Sequence, residues 1–268
     1  DIFNTGTADS TRSFNMPSGW DGTSYSGDRS AAPFAVLDAI YDTMQKFAAA
    51  DSSLEFPALE VHWSENNNPA SGDLPSGDIG TSFYSSGKIY LLGDADTDTD
   101  EYDRHVLIHE WGHYFENKLS RSDSVGGSHS LVERLDMRVA FGEGWGNALS
   151  GIITDDPFYR DSTGPQQNTD FSFSVETNNY AENGWFNEGS VQSVIYDIYD
   201  SADDGADSIA LGLGPIYDVL TDSSYTSSTY FTSIFSFTDR LKALQPGASE
   251  KINSLLTAQS ISGTGANG

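Results

Sequence analysis

The chain has 268 residues, which is enough for one large domain or two small ones with a sizeable core. Its 40 acidic residues outnumber its 13 basic residues and give a net charge of −27, which argues against binding to nucleic acid or to an anionic membrane. The absence of cysteine excludes disulfides and thiolate metal sites, and no apolar run approaches transmembrane length. The many Ser, Thr, Asn, Gly and Tyr residues are typical of an extracellular surface, so we expect a secreted protein.

Helix and strand patterns alternate in the first hundred residues. Apolar residues at helical spacing predict a core helix over residues 31–50. Residues 57–63 alternate and predict a strand, and residues 81–84 and 88–92 predict a hairpin around a Ser-Ser-Gly turn. We therefore expect a mixed sheet with helices in this part of the chain.

An acidic stretch follows at residues 93–103. One interpretation is a Ca²⁺ loop built from oxygen ligands. The other is a solvated loop whose last carboxylates cap the next helix. Because the stretch lacks the sixth-position Gly and the closing Glu of an EF-hand, we favour the helix cap and leave calcium as the alternative.

Helical patterns dominate the rest of the chain. They predict helices over residues 104–119, 131–153, 190–199, 209–220, 231–244 and 249–258. Residues 156–188 carry turn signals and predict loops. Strands before residue 100 and helices after it predict an α+β fold. We divide this single catalytic unit into an N-terminal α+β subdomain, residues 1–120, and a mainly helical C-terminal subdomain, residues 121–268.

The sequence His-Glu-Trp-Gly-His at residues 109–113 lies in the helix predicted over residues 104–119. Residues four apart share a helix face, so His109 and His113 present two imidazoles to one side, which suits a Zn²⁺ ion. Glu110 lies beside that face, where it can accept a proton from zinc-activated water. This spacing predicts a zinc-dependent hydrolase.

A catalytic zinc site needs a third protein ligand and one open position. Glu143 is our preferred third ligand, because it lies on the next predicted helix between glycines that allow close helix packing. Glu116, three residues after His113, is its rival. Glu133 and Asp136 are weaker candidates.

Residues 109–113 together with the Phe-Gly-Glu-Gly-Trp-Gly-Asn sequence at residues 141–147 resemble the gluzincin metallopeptidases, notably thermolysin-like and fungalysin-like enzymes. The resemblance implies a zincin-like fold with the active-site helix between an N-terminal mixed sheet and a mainly helical C-terminal half. It also implies that Glu143 is the third zinc ligand. In these enzymes an acidic residue four positions later supports the first His, and here that position is Asn147, whose amide oxygen can accept the same hydrogen bond.

The resemblance leaves the residue that stabilises the oxyanion open. Thermolysin-like enzymes place a downstream His there, but this chain has no His after His129. The candidate hydrogen-bond donors are Tyr180, Tyr196, His129 and Arg138. We rank Tyr196 first, because a Tyr has this role in other gluzincins, and keep His129 as a second catalytic candidate.

These observations predict a secreted, monomeric zinc endopeptidase. Its cofactor is Zn²⁺, with Ca²⁺ as a further possibility, and its partner is a peptide or protein substrate, not nucleic acid or a membrane. The alternatives are a narrow-specificity exopeptidase, a non-peptidase zinc hydrolase, or an inactive zinc-containing binding or adhesion module. The intact Glu110 argues against the binding module, because such a site has no use for that carboxylate.

Overall fold

Helices and two small sheets make up the fold. The computed structural model describes residues 9, 11, 13–180, 182–202, 205–263 and 265–268. The α-helices are α1 Ala32–Ala50, α2 Arg104–Leu119, α3 Met137–Thr154, α4 Glu188–Tyr199, α5 Leu213–Thr221, α6 Ser223–Thr226, α7 Ile234–Leu244 and α8 Ser249–Ala258. The strands are β1 Glu60–Trp63, β2 Phe83–Ser85, β3 Lys88–Leu91, β4 Gly93–Asp94, β5 Asp98–Thr99, β6 Phe158–Thr163 and β7 Thr169–Ser174. Within these ranges, no helix has both the length and the apolar character needed to span a bilayer.

The first sheet is mixed and has the strand order β1-β3-β2. β1 runs parallel to β3, and β2 runs antiparallel to it, as expected for the predicted hairpin. The turn between β2 and β3 uses Ser86 and Gly87, both with positive φ, a conformation that a glycine adopts without steric cost. β2 is therefore an edge strand with one side of its backbone unpaired in this sheet.

The second sheet has the order β4-β5-β6-β7 and joins strands from before α2 to strands from after α3. Its hairpin of β6 and β7 corrects the prediction that residues 156–188 are loops. Tyr159 and Phe173 pair across the hairpin and are buried, while Phe158 and Phe171 are exposed. The Gly164-Pro165 turn and the exposed aromatic residues masked this alternation in the sequence. The division into residues 1–120 and 121–268 stays a prediction, and this sheet crosses the proposed boundary.

The core is centred on α2 and α3, which are buried along most of their length. Phe47 of α1 packs against α2, with ring centroids 5.1 Å from Trp111 and 4.6 Å from Phe115. Trp145 of α3 lies on the other side of Phe115, at 6.0 Å, and its indole N–H donates to the carbonyl of Gly112. Aromatic packing of this kind fixes the two central helices relative to each other.

Two predictions about the starts of α3 and α2 are corrected. α3 begins at Met137 and not at residue 131, because Asp136 caps it by accepting a hydrogen bond from the backbone of Arg138. The expected capping of α2 by the acidic stretch is wrong. Asp103 stands at the N-cap position, but its carboxylate accepts from the backbone N–H and the hydroxyl of Ser162 on β6 at 2.9 and 2.7 Å, and it makes no capping bond. The α+β class is confirmed.

Candidate metal centre and active-site cleft

α2 carries the two histidines of the motif on one face. Their Nε2 atoms lie 3.1 Å apart, and the rings of His109 and His113 meet edge to face with centroids 4.8 Å apart. His109 is buried, and His113 is partly buried. The four-residue spacing therefore brings two imidazole nitrogens to one point, as helix geometry requires.

α3 brings Glu143 to the same point. Its Oε2 atom lies 3.1 Å from Nε2 of His109 and 3.3 Å from Nε2 of His113. One ligand atom from each of the three side chains falls within 4.8 Å of the others. Two imidazoles and a carboxylate are a donor set that zinc prefers, and three protein ligands leave a position open for water or substrate. The residues present therefore fit a catalytic zinc ion.

Glycines on α3 allow this close approach. A Cβ atom added at Gly146 would lie 2.8 Å from Nδ1 of His109, so a side chain there would push against the imidazole. A Cβ atom added at Gly144 would lie 2.6 Å from the side chain of Val191 on α4. α3 thus contacts α2 on one side and α4 on another. At both contacts a glycine lets the helix backbones approach, where a larger side chain would hold the helices apart.

Asn147 fixes the ring of His109. Its Oδ1 atom lies 2.8 Å from Nδ1 of His109, and its Nδ2 donates to Oε1 of Gln192 at 3.0 Å. Gln192 in turn donates to the backbone carbonyl of Ser174 at 3.0 Å. With Asn147 accepting at Nδ1, Nε2 of His109 is left as the free ligand atom.

Glu116 lies on the opposite edge of the His113 ring. Its Oε2 atom is 3.5 Å from Nδ1 of His113, whereas Glu143 faces Nε2. The carboxyl of Glu116 is buried, and burial raises its pKa despite the neighbouring His113. Glu116 therefore lies in the position of a group that supports a ligand, beside Nδ1. Glu143 lies in the position of a metal ligand, beside Nε2.

Glu110 is buried beside the two histidines and lines the cleft. Burial raises the pKa of its carboxyl, against the opposing effect of His109 and His113. A carboxyl with a raised pKa is better matched to exchanging protons near neutral pH. Its position suits a general base for water bound at this centre.

His129 reaches the same group from the loop between α2 and α3. Its Nε2 lies 3.2 Å from Oε2 of Glu143, and its ring is parallel to that of His109 with centroids 6.5 Å apart. Nδ1 of His129 lies 2.8 Å from Oε2 of Glu188, the first residue of α4. The loop histidine is thus held by a buried carboxylate and points toward the metal centre.

Tyr196 lies elsewhere, which corrects its assignment as the first oxyanion candidate. It packs in the core against Gly151, where an added Cβ would lie 2.9 Å from its ring. Gly151 is eight residues after Glu143, or about 12 Å along the α3 axis. Arg138 is paired with Asp136, and Tyr180 lines the cleft with its hydroxyl accepting from the backbone of Ser174.

Comparisons with known proteins agree with this geometry. Residues 43–247 match the mycolysin C-terminal domain. The chain belongs to the mycolysin C-terminal domain family. Among solved structures, the precursor of protealysin, a metalloproteinase from Serratia proteamaculans, matches with a TM-score of 0.51 and 12% identity over 90% of this chain and 80% of that chain. No curated protein matches. The resemblance to gluzincin metallopeptidases is thereby confirmed at the level of family and fold.

Charge in the centre of this mycolysin-family chain is concentrated on a few buried groups. Burial opposes ionisation of Glu143, but His113 and His109 outweigh it and hold the pKa of the carboxyl well below its usual range. Burial likewise opposes protonation of His113, yet Glu143 and Glu116 raise its pKa well above the ordinary value. A zinc ion at this centre would therefore compete with protons for Nε2 of His113.

Sequence reasoning missed the cleft residues Glu188 and Tyr159 and the buried Gln192, which provides no metal ligand but accepts a hydrogen bond from Asn147. Tyr159 packs edge-on against His109 with centroids 6.4 Å apart. One signal could have pointed to Glu188. The resemblance to thermolysin-like enzymes predicts a histidine-bearing segment in this part of the chain, and Glu188 lies in that segment, which has no histidine. Gln192 and Tyr159 gave no signal, since Gln192 lies within an ordinary helix pattern and Tyr159 lies in a segment that was predicted to be a loop.

Proposed function

We propose that this chain is a zinc endopeptidase. The observation that carries the proposal is the convergence of His109, His113 and Glu143 on one point in a cleft that Glu110 also lines. Membership of the mycolysin C-terminal domain family supports it. We also propose that the enzyme is secreted, which its many Ser, Thr, Asn, Gly and Tyr residues support, and that it acts as a monomer, which its net charge of −27 supports.

His109, His113 and Glu143 would hold the ion. When bound, zinc supplies Lewis-acid chemistry that polarises the scissile carbonyl and acidifies water. Glu110 accepts the proton of the attacking water and returns it to the leaving amine, a cycle that its raised pKa favours. Asn147 and Glu116 hold the two histidine rings in place through their Nδ1 atoms.

His129 is our candidate for the group that stabilises negative charge on the carbonyl oxygen. Burial lowers the pKa of its imidazole, but Glu188 and Glu143 outweigh this and raise it above the ordinary value. The ring is therefore a protonated donor over a wider pH range than a free histidine. A charged donor that is already oriented stabilises a developing oxyanion strongly.

Two cavities support cleavage within a chain. One of about 500 Å³ and one of about 330 Å³ share His109, Glu110 and His129 in their walls. Residues on both sides of a scissile bond can therefore be accommodated. Edge strand β2 lines the smaller cavity, where an extended peptide can pair with its backbone.

Metal analysis combined with peptide cleavage tests the proposal. We expect the purified protein to contain about one zinc per chain and to cleave casein at internal bonds, as seen by end-group analysis of the products. E110Q should keep the zinc and lose turnover, and H109A should lose both. Cleavage only at chain ends would replace the endopeptidase assignment with an exopeptidase, and zinc without cleavage of any peptide library would indicate a binding module.

A further inference from the structure

Three aspartates at the second sheet form a partly buried group, which we call the aspartate cluster: Asp98, Asp100 and Asp161. One carboxylate oxygen from each lies within 4.8 Å of the others. Asp98 is on β5, Asp161 is on the neighbouring strand β6, and Asp100 follows β5 directly. Asp100 is only 2% exposed. The sheet therefore fixes three acidic side chains at one place.

The cluster lacks a positive partner. The Oδ1 atoms of all three aspartates are buried and have no hydrogen-bond partner. Asp100 uses its Oδ2 atom to accept a hydrogen bond from the hydroxyl of Ser82. Among the residues that the structure describes, no Lys, Arg or His forms an ion pair with any of the three. Buried carboxylates without partners are costly, so this arrangement calls for a cationic ligand.

The cluster opens into the active-site cleft. All three aspartates line the cavity of about 500 Å³ that also contains His109 and Glu110. Tyr159 packs against His109, and residues two apart on a strand share a face, so Asp161 lies on the same face of β6 about 7 Å further along. Apolar side chains line the same cavity, namely Leu92, Val106, Phe171 and Phe173.

We propose that the aspartate cluster is a substrate subsite for a lysine or arginine side chain of the peptide held at the metal centre. This inference rests on the proposed peptidase function and names its substrate class. Long basic side chains combine an apolar stem with a cationic head, which matches apolar walls followed by carboxylates. An ammonium or guanidinium group donates three to five hydrogen bonds, enough for the three free oxygens.

A calcium ion fits this place less well. Calcium takes about six to eight oxygen ligands, and three aspartates converge in the described part of the chain. A basic side chain needs no further oxygen ligands. The position in the wall of the substrate cleft also favours a group that arrives with the substrate.

Matched peptides test the subsite. We would place a single arginine, or its neutral isostere citrulline, at each position on both sides of one cleavable bond and measure kcat/KM. At one position we expect the arginine peptide to be favoured by about 10- to 100-fold, the range for a hydrogen-bonded charge. D161N and D100N should remove most of this preference, while D170N, the same charge change at an exposed site on β7, should retain it.

A binding measurement separates this inference from the peptidase assignment. The same peptides are titrated calorimetrically into the E110Q protein and into E110Q/D161N. Tighter binding of the arginine peptide by E110Q alone supports the subsite even if the wild-type chain hydrolyses nothing. Equal binding and equal hydrolysis of the arginine and citrulline peptides would overturn it. Calcium binding that D161N and D100N abolish and D170N keeps, without any arginine preference, would also overturn it and assign the cluster to the ion.

Discussion

Nδ1 of His129 lies 2.8 Å from Oε2 of Glu188, while Nε2 of the same ring lies 3.2 Å from Oε2 of Glu143. The imidazole is therefore held between a supporting carboxylate from α4 and a metal-binding carboxylate from α3. Under the proposed function, His129 is an oriented, charged donor for the oxygen of the reacting carbonyl group. The groups that would hold zinc are on α2 and α3, whereas His129 is on the loop between these helices.

We expect H129F to lower kcat by about 100- to 1,000-fold, the usual effect of removing one oxyanion donor, with KM changed little. E188Q should cause a smaller loss, because the ring keeps its donor and loses its charged support. Steady-state kinetics on one peptide gives both constants. Zinc content should stay near that of the wild type in both variants, and a parallel loss of zinc would show that His129 acts on the metal instead.

Asn147 tests how much the support of His109 matters. N147L removes the acceptor at similar volume and should weaken zinc binding by about 10- to 100-fold. N147D should bind zinc at least as tightly as the wild type, because it keeps the acceptor and adds charge. Competition with a chelator of known affinity measures both. Equal zinc affinity in N147L and the wild type would contradict the supporting role.

G146A tests the close contact between α3 and the His109 ring. Replacing a helical glycine by alanine ordinarily stabilises a helix by about 0.5–1 kcal/mol. At Gly146 the added methyl group would lie 2.8 Å from the imidazole, so we expect lower stability and weaker zinc binding. G247A in the turn between α7 and α8 is the control, because nothing lies within 4 Å of a Cβ there and alanine restricts the unfolded chain. Chemical denaturation should therefore give opposite signs for the two variants.

The aspartate cluster should make stability depend on pH. Burial, with the neighbouring Asp98 and Asp103, raises the pKa of Asp161 to about 7 from 3.8. A carboxyl whose pKa is raised on folding binds more protons in the folded state, so its contribution to stability falls as the pH rises from about 4 to about 7. D161N removes this penalty. Relative to the wild type, it should gain about 1–3 kcal/mol of unfolding free energy on going from pH 4.5 to pH 8.

Urea denaturation at pH 4.5, 6 and 8 measures this difference, with zinc supplied equally to both proteins. D170N should show no such pH-dependent gain, because Asp170 is exposed on β7. A D161N effect that is the same at all three pH values would contradict the assignment of the raised pKa to Asp161.

Local patterns predicted the parts of the fold that depend on neighbours in sequence. The boundaries of α2 and α8 match their predicted residues, 104–119 and 249–258, because polar or turn residues flank each helical run. The hairpin of β6 and β7 was missed because β6 begins with two adjacent aromatic residues, Phe158 and Tyr159, on opposite faces, so apolar and polar residues do not alternate along it. Such strands form because of contacts with neighbouring strands in the sheet, and these contacts cannot be read from a single sequence.

The same distinction applies to the candidate site. His109, Glu110 and His113 share one helix, so their spacing alone predicts their relative positions. His129 and Glu188 are 59 residues apart and meet only through tertiary structure, so no spacing rule relates them. Tyr196 was ranked first as oxyanion donor because its hydroxyl group can donate a hydrogen bond. The helical periodicity of the sequence does not reveal which element a buried helix face packs against. Tyr196 meets the C-terminal half of α3, remote from Glu143.

The loop that carries His129 is tied to the rest of the molecule at its far end. The side chain of Asn187 donates to the carbonyl of Leu131 at 2.7 Å, and the backbone N–H of Leu135 donates to the carbonyl of Phe186 at 2.8 Å. Movement of this loop would swing the imidazole out of the cleft and leave the two ligand-bearing helices intact. Under the proposed function, the oxyanion donor and the metal ligands thus belong to separate parts of the fold, and evolution can adjust the strength of that donor without rebuilding the centre that binds the ion.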